Sequence, residues 1–171
     1  MSVPIDHQQL PYRVAALCYL YDDADRVLLL HRAQSPNLGM YSPIGGKLAV
    51  ASGESPHDCA IREIHEEAGL TVDHNELHLT GIVAETAYEG QNHWLLFLFE
   101  VCRPIAHDEV AVMEIREGTL EWVAMDKVTS YRIPETDRNV VWPLVQSHRR
   151  GFFTVHIDCR DGLHWQVQES R

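Results

Sequence analysis

Apolar and polar residues alternate along the first part of the chain in short runs separated by turn-forming residues. Residues 12–21 are rich in Val, Ala, Leu and Tyr, and the acidic cluster 22–25 separates them from the apolar run 26–30. This pattern predicts two β-strands joined by a hairpin. The proline and paired glycines of residues 42–46 break the pattern. We therefore expect a loop there.

The second half of the chain continues the β pattern and adds one helical segment. Residues 76–89 and 93–103 are two longer β-like runs, and residues 119–123 are a further short one. Between Pro134 and Arg149 the apolar positions recur at helical spacing. The tail from Gly151 has two apolar runs around Asp-Gly, a pattern typical of a hairpin. Together these elements predict one α+β or α/β domain.

Residues 55–70 contain signals for both ends of a helix. Ser55 is a favourable N-cap, Pro56 suits the first helical position, and Asp58 completes a pattern similar to a capping box. Gly69 can adopt the left-handed conformation that ends a helix. The sequence therefore predicts where this helix begins and where it ends.

The two long faces of this helix differ in chemistry. At about 100° per residue, one arc is apolar and must face a core; it consists of Ala60, Ile61, Ile64 and Ala68. A neighbouring arc carries Glu63, Glu66 and Glu67. One interpretation is a solvated acidic face without a role. The other is a site for Mg²⁺ or Mn²⁺, which take oxygen ligands and leave positions for water and substrate phosphate. Such a cation polarises a pyrophosphate and favours its hydrolysis.

Composition and charge narrow the function classes. The length of 171 residues and the 45% hydrophobic content predict one globular domain over residues 1–171. With 14 Lys and Arg against 25 Asp and Glu, the formal charge of −11 disfavours a nucleic-acid partner.

No apolar run is long enough for a membrane span, and Met1–Asp6 lacks the features of a secretory signal. The four widely spaced cysteines favour free thiols in the cytoplasm.

The segment from Glu54 to Leu70 resembles the signature of the Nudix hydrolase family, G-x5-E-x7-R-E-U-x-E-E-x-G-U, where U is a bulky aliphatic residue. Glu54 is followed by seven residues and then by REIHEEAGL, which fits every position from the first Glu onward. The departure lies upstream, because seven residues separate Gly46 from Glu54 where the family has five. The loop 47–53 is therefore two residues longer than the family pattern. The C-terminal hairpin, about residues 151–171, is less generic to the family than the rest of the chain.

The resemblance implies an α/β fold, the Nudix α/β/α sandwich, with a mixed sheet and the box helix packed on it. It also implies residue roles. The metal ligands would be Glu63, Glu66, Glu67 and the carbonyl of Gly45, while Glu54 would orient Arg62 or reach the metal through water. The general base would be Glu66 or Glu67, with Glu114 or Glu117 of a distal loop as the other candidates. Arg32 either contacts a substrate phosphate or is paired structurally.

The implied activity is Mg²⁺- or Mn²⁺-dependent attack of water on a pyrophosphate bond in a small nucleoside diphosphate-linked compound, such as a nucleoside triphosphate or an ADP-sugar. The alternative is a non-catalytic Nudix-fold module that senses a nucleotide or binds a protein. Phe152, Phe153 and Trp165 of the terminal hairpin either cover the core or form a homodimer surface.

Overall fold

The computed structural model describes residues 9–171, so the expectation for Met1–Asp6 lies outside the described residues. Its strands form a mixed sheet of nine strands in the order β6-β7-β2-β3-β1-β5-β4-β8-β9. The strands are β1 (Tyr12–Tyr19), β2 (Arg26–Arg32), β3 (Tyr41–Lys47), β4 (Leu77–Tyr88), β5 (Asn92–Val101), β6 (Glu114–Ile115), β7 (Gly118–Ala124), β8 (Phe153–Asp158) and β9 (His164–Ser170). The helices are α1 (Pro56–Ala68) and α2 (Trp142–Ser147).

The sheet separates two apolar layers, one beneath each helix. In β2, Leu28 and Leu30 pack in the cluster that contains α1, whereas Val27 and Leu29 pack in the cluster that contains α2. This alternation follows from the two-residue period of a strand, because both faces of a central strand are covered. The predicted sandwich with the box helix on a mixed sheet is confirmed.

Two local predictions at the start of the chain are wrong. Residues 42–46 are not a loop but lie inside β3, which pairs antiparallel with β1 on one side and with β2 on the other. The predicted hairpin between the first two strands is therefore reduced to a single bridge, Tyr21 to Val27. Neighbouring strands on both sides outweigh the low β propensity of Pro and Gly, a tertiary effect that local patterns do not contain.

The other predicted elements are present. The helical segment predicted between Pro134 and Arg149 is confirmed over residues 135–147, where a π-helical turn at Asp137–Val141 leads into α2. The terminal hairpin forms as β8 and β9 and extends the same sheet. Among residues 9–171 no helix is long and apolar enough to cross a membrane.

One carboxyl group is buried in the middle of β4. Glu85 is only 6% exposed, and burial raises its pKa to about 8. The nearby carboxyl of Asp137 raises that pKa further, while a hydrogen bond with Thr136 opposes the shift. Glu85 is therefore protonated in the folded protein at neutral pH, whereas in the unfolded chain it ionises near its ordinary pKa of about 4.3.

This difference gives the free energy of unfolding a defined pH dependence. Between about pH 5 and pH 8 the folded state holds a proton that the unfolded state has released, so stability falls as the pH rises. Glu85→Gln should reduce this fall by an amount on the order of 3 kcal/mol across that range. The remaining fall comes from other buried carboxyl groups, because burial also raises the pKa of Asp137 and of Glu67 to about 7. Urea unfolding at several pH values measures it. Glu135→Gln, at an exposed position, is the control, and equal slopes for wild type and Glu85→Gln would contradict the expectation.

Candidate active site

The helix α1 begins and ends at the residues predicted from the sequence. The Ser55 side chain accepts a hydrogen bond from the backbone N–H of Asp58 at 3.1 Å, and Pro56 is the first helical residue. Gly69 has a φ of +67° and its N–H donates to the carbonyl of His65. These caps fix where the helix starts and stops, and its buried apolar side chains fix its rotation on the sheet.

That rotation places two glutamates of α1 against the glycines of β3. Glu63 and Glu67 are 9% and 6% exposed, whereas the side chain of Glu66 is 57% exposed. The N–H of Gly45 donates to Oε2 of Glu67 at 3.0 Å. A Cβ on Gly46 would lie 2.4 Å from Oε1 of Glu63, so glycine leaves the space that this carboxylate fills.

The backbone conformation at residue 45 requires a glycine. Its φ is +150°, and a Cβ there would lie 2.1 Å from the carbonyl oxygen of Ala16 on β1. Only glycine permits such a close approach between neighbouring strands. The position of the Gly45 N–H, and with it the hydrogen bond to Glu67, therefore depends on this residue.

Arg62 connects the carboxylates. Its Nε and Nη2 donate to the two oxygens of Glu54 at 2.7 and 2.9 Å, which confirms the pairing expected from the sequence. Its Nη1 donates to Oε1 of Glu63 at 2.5 Å and to Oε2 of Glu66 at 3.3 Å. One guanidinium thus lies where three carboxylates meet.

Glu54 also determines the path of the lengthened loop. Its Oε2 accepts a hydrogen bond from the N–H of Ala49 at 2.7 Å. Residues Val50–Ser52 form a 3-10 turn that Gly53 ends with a φ of +70°. The additional residues therefore turn within the loop, while Glu54 ties the loop to Arg62.

The carboxyl groups differ in their proton affinity. Hydrogen bonds from Arg62, and then from the Ala49 N–H, lower the pKa of Glu54 to about 2. Burial raises the pKa of Glu63, and it raises that of Glu67 to about 7 although the Gly45 N–H opposes the shift. Buried carboxylates of this kind are stabilised by a proton or by a nearby cation.

The proposed phosphate-binding residue Arg32 and the distal candidate Glu117 both influence Glu67 electrostatically. The positive charge of Arg32 lowers the pKa of Glu67 and the negative charge of Glu117 raises it. Arg32 also donates from Nε to the carbonyl of Pro36 at 2.7 Å. Glu114 is exposed on the edge strand β6. The structure therefore brings Arg32 and Glu117 toward the cluster on α1.

The donor set suits a hard divalent cation in its chemistry. In the part of the chain that the structure describes, no three Asp, Glu, His or Cys side chains are arranged to hold a metal ion. Oxygens of Glu63 and Glu66 instead meet at the Arg62 guanidinium, so they already point toward one positive charge. Carboxylate oxygens are the ligands that Mg²⁺ and Mn²⁺ prefer, and the roles of these residues as ligands stay a prediction.

Two further residues contact the site and were not expected from the sequence. The Lys47 carbonyl accepts a hydrogen bond from Arg62, and its Nζ lies 6.0 Å from the centre of the Trp94 ring. The Cys59 thiol donates to the carbonyl of Gly46 at 3.5 Å. The available signals were the place of Lys47 directly after the two glycines and the place of Cys59 one helical turn before Glu63.

Comparison with known proteins identifies the family. The NUDIX domain profile matches residues 11–142. The chain is 30% identical over 127 residues to the uncharacterised Nudix hydrolase YvcI of Bacillus subtilis, covering 72% of this chain and 73% of that protein. It is 32% identical over 112 residues to a putative 8-oxo-dGTP diphosphatase 3 of Mycobacterium tuberculosis, covering 63% of this chain and 48% of that protein.

The structural comparison agrees. A crystal structure of the MutT protein from Bacillus halodurans superposes with a TM-score of 0.71 at 25% identity, covering 91% of this chain and 97% of that one. The chain belongs to the Nudix hydrolase family. It is accordingly a pyrophosphohydrolase, of a family whose members generally use divalent metals.

The pairing of Glu54 with Arg62 should be measurable as a coupling energy. Glu54→Ala and Arg62→Ala should each destabilise the fold by about 1–2 kcal/mol, because each leaves a partly buried charge without its partner. The double variant should lose about 1 kcal/mol less than the sum of the two. Urea unfolding of all four proteins gives the cycle. The pair Asp126 and Lys127, whose side chains are 73% and 66% exposed, is the control and should show a smaller coupling. Additive losses at Glu54 and Arg62 would contradict the arrangement.

Proposed function

We propose that this protein hydrolyses a pyrophosphate bond in a small nucleoside diphosphate-linked compound with the help of Mg²⁺ or Mn²⁺. The observation that carries the proposal is the position of Glu63 and Glu67, which are buried on α1 and face the glycines of β3, with Glu66 beside them toward solvent. Burying a carboxylate is costly unless it is paired or hydrogen-bonded. Arg62 pairs with Glu63 and the Gly45 N–H bonds Glu67, and a cation bound in function would stabilise both carboxylates further.

Each residue then has a defined task. Glu63, Glu66 and Glu67 would hold the cation together with the carbonyl of Gly45. Once bound, a divalent cation neutralises phosphate charge and lowers the pKa of a coordinated water. Glu54 keeps Arg62 in place through two hydrogen bonds, so the guanidinium stays beside the ligands. Arg32, near Glu67, would contact a substrate phosphate, a role that suits the geometry of a guanidinium.

The general base would be Glu66 or Glu67. A base must reach the attacking water and then release the proton, so it has to lie at the border between the cluster and solvent. Glu66 meets this requirement by its exposure. Glu67 is 6% exposed, and what favours it is the pKa of about 7 to which burial raises its carboxyl group. Glu117 is the distal candidate that lies near the cluster.

The proposed substrates are small nucleotides. They comprise nucleoside triphosphates including oxidised ones, ADP-sugars, dinucleoside polyphosphates and coenzyme A. The relative described as a putative 8-oxo-dGTP diphosphatase supports testing oxidised nucleotides first. The charge of −11 disfavours long polyanions such as capped RNA. We also propose a cytoplasmic location, which the free thiols of Cys18, Cys59, Cys102 and Cys159 support.

A substrate panel with Mg²⁺ tests the activity and the base together. We expect release of phosphate, pyrophosphate or a mononucleotide from at least one member of the panel. Glu67→Gln and Glu66→Gln should each lower kcat, and the variant that lacks the general base should lose about 100-fold or more. Glu117→Gln tests the distal candidate, and Glu135→Gln, which alters an exposed residue of another segment, should keep wild-type activity.

The same panel separates the enzyme from its alternative. If the wild type binds a nucleotide tightly by calorimetry and hydrolyses no compound, the protein is a non-catalytic sensing module. If Glu66→Gln and Glu67→Gln retain wild-type kcat on a substrate that is hydrolysed, the site is elsewhere.

Metal binding can be tested without substrate. Glu63→Gln removes a proposed ligand, and Gly46→Ala places a methyl group where the Glu63 carboxylate lies. Both should weaken Mn²⁺ binding by about 10- to 100-fold in calorimetry. Glu135→Gln, which changes an exposed residue outside the cluster, is the control. Unchanged Mn²⁺ affinity in Glu63→Gln would remove this residue from the ligand set.

A further inference from the structure

A polar cavity lies at one end of the sheet, on the face opposite α1. Residues from the turn after β1, from the end of β5 and from the segment after α2 line it, and its volume is about 180 Å³. A single water needs only about 10–15 Å³, so the cavity can hold a small organic molecule. Glu100 lies between Phe99 and Val101, which pack beneath α1, and therefore points to the other face, where Tyr21 packs beneath α2. The sheet thus separates this cavity from the candidate active site.

Two buried polar side chains of the cavity lack hydrogen-bond partners. Glu100 and Tyr21 are 2% and 3% exposed. Oε1 of Glu100 accepts a hydrogen bond from the N–H of Arg150 at 2.7 Å, but Oε2 accepts none in the part of the chain that the structure describes. The Tyr21 hydroxyl has no partner there either. Because a buried acceptor without a donor is unfavourable, these atoms favour a ligand that carries a hydrogen-bond donor.

Arg149 lies beside both of these groups. Its Nε is 3.4 Å from Oε2 of Glu100, and its guanidinium carbon is 3.5 Å from the centre of the Tyr21 ring. Its Nη1 donates to Asp25 at 3.0 Å, so its charge is already balanced within the protein. Since this side chain is 33% exposed, the guanidinium can shift toward solvent and admit a donor to Glu100.

Two opposite charges of the cavity are not balanced in this way. Among the described residues Arg150 has no carboxylate partner, and its guanidinium donates only to the carbonyl oxygen of Cys102, at 3.4 Å. The carboxylate of Asp23, which also lines the cavity, forms no ion pair or hydrogen bond within residues 9–171. The remaining charged side chains of the lining have partners outside it, Asp22 with Arg26 and Arg103 with Glu76 and Glu109.

We propose that this cavity binds a small zwitterion of the class of the free α-amino acids. The carboxylate of the ligand binds the guanidinium of Arg150, whose planar fork can donate two parallel hydrogen bonds. The ammonium group of the ligand donates to Asp23 and to Oε2 of Glu100. An ammonium has three donors, so the third reaches the Tyr21 hydroxyl. A ligand with only one of the two charges leaves either Asp23 or Arg150 without a partner.

The backbone holds Arg150 in position for this contact. Its φ is +59°, in the left-handed region that residues other than glycine rarely adopt. The hydrogen bond from its N–H to Oε1 of Glu100 stabilises that conformation directly after the turn that follows α2. Glu100 therefore fixes the backbone of the residue that binds the carboxylate and offers its second oxygen to the ammonium group.

Calorimetry of the full chain with each of the common α-amino acids tests the proposal. We expect at least one of them to bind with a Kd below about 1 mM. Two analogues of that amino acid, the amine without the carboxylate and the acid without the amino group, should bind at least tenfold more weakly. Amide signals of Arg150 and of residues 21–25 should shift in NMR spectra on addition of the amino acid, which locates the site.

Variants separate this site from unspecific binding. Arg150→Gln and Asp23→Asn each remove one of the two unpaired charges and should raise the Kd at least tenfold. Arg160→Gln and Asp126→Asn remove charges whose side chains are 49% and 73% exposed in other segments, and they should leave the Kd unchanged. A melting curve establishes that each variant is folded.

Three results would overturn the proposal. The first is that no amino acid binds to the wild type below about 1 mM. The second is binding that Arg150→Gln or Asp23→Asn leaves unchanged. The third is an acid without the amino group that binds as tightly as the amino acid, because the cavity would then be a site for simple anions.

Discussion

The arrangement of the site depends on the guanidinium of Arg62. It donates to Glu54, Glu63 and Glu66, and so holds together three carboxylates that would otherwise repel one another on one turn of helix and the preceding loop. A guanidinium suits this position because its planar fork bonds a carboxylate with two parallel hydrogen bonds and keeps further donors for others. The acidic helix can therefore fold with Glu63 buried, while Glu66 stays on its solvent side.

The glycines of β3 are the second constraint, and they act through backbone rather than charge. Gly45 brings β3 against Ala16 of β1, and Gly46 leaves space for the carboxylate of Glu63. Since β3 also pairs with β2, this strand is held on both sides and cannot move away from α1. Charge on the helix and close approach on the strand thus create one site from two elements that are adjacent only in the folded chain.

Local sequence signals were sufficient for the helix and insufficient for the strand that faces it. Ser55, Pro56 and Gly69 encode the ends of α1 in short-range chemistry, and the Glu54 to Arg62 pair follows from the spacing of the motif. β3 was missed because Pro43 and its two glycines disfavour a strand locally, while partners distant in sequence impose one. The proximity of Arg32 and Glu117 to Glu67 could not be predicted from local sequence either, because it depends on how β2, β7 and α1 are placed relative to each other. The ligand and base roles rest on the family signature and not on local chemistry.

Because Glu54 closes the loop 47–53 with a hydrogen bond to Ala49, the length of this loop has little effect on the geometry of the site. One carboxylate binds the Ala49 N–H inside the loop and Arg62 on the helix. The residues between Ala49 and Glu54 therefore lie outside the hydrogen bonds that connect the loop to the helix, and they do not contact the carboxylate cluster through this link. Residues 50–53 are accordingly free to vary in number and character, and this protein can present there a surface of its own, including the exposed Val50, beside a site that remains unchanged.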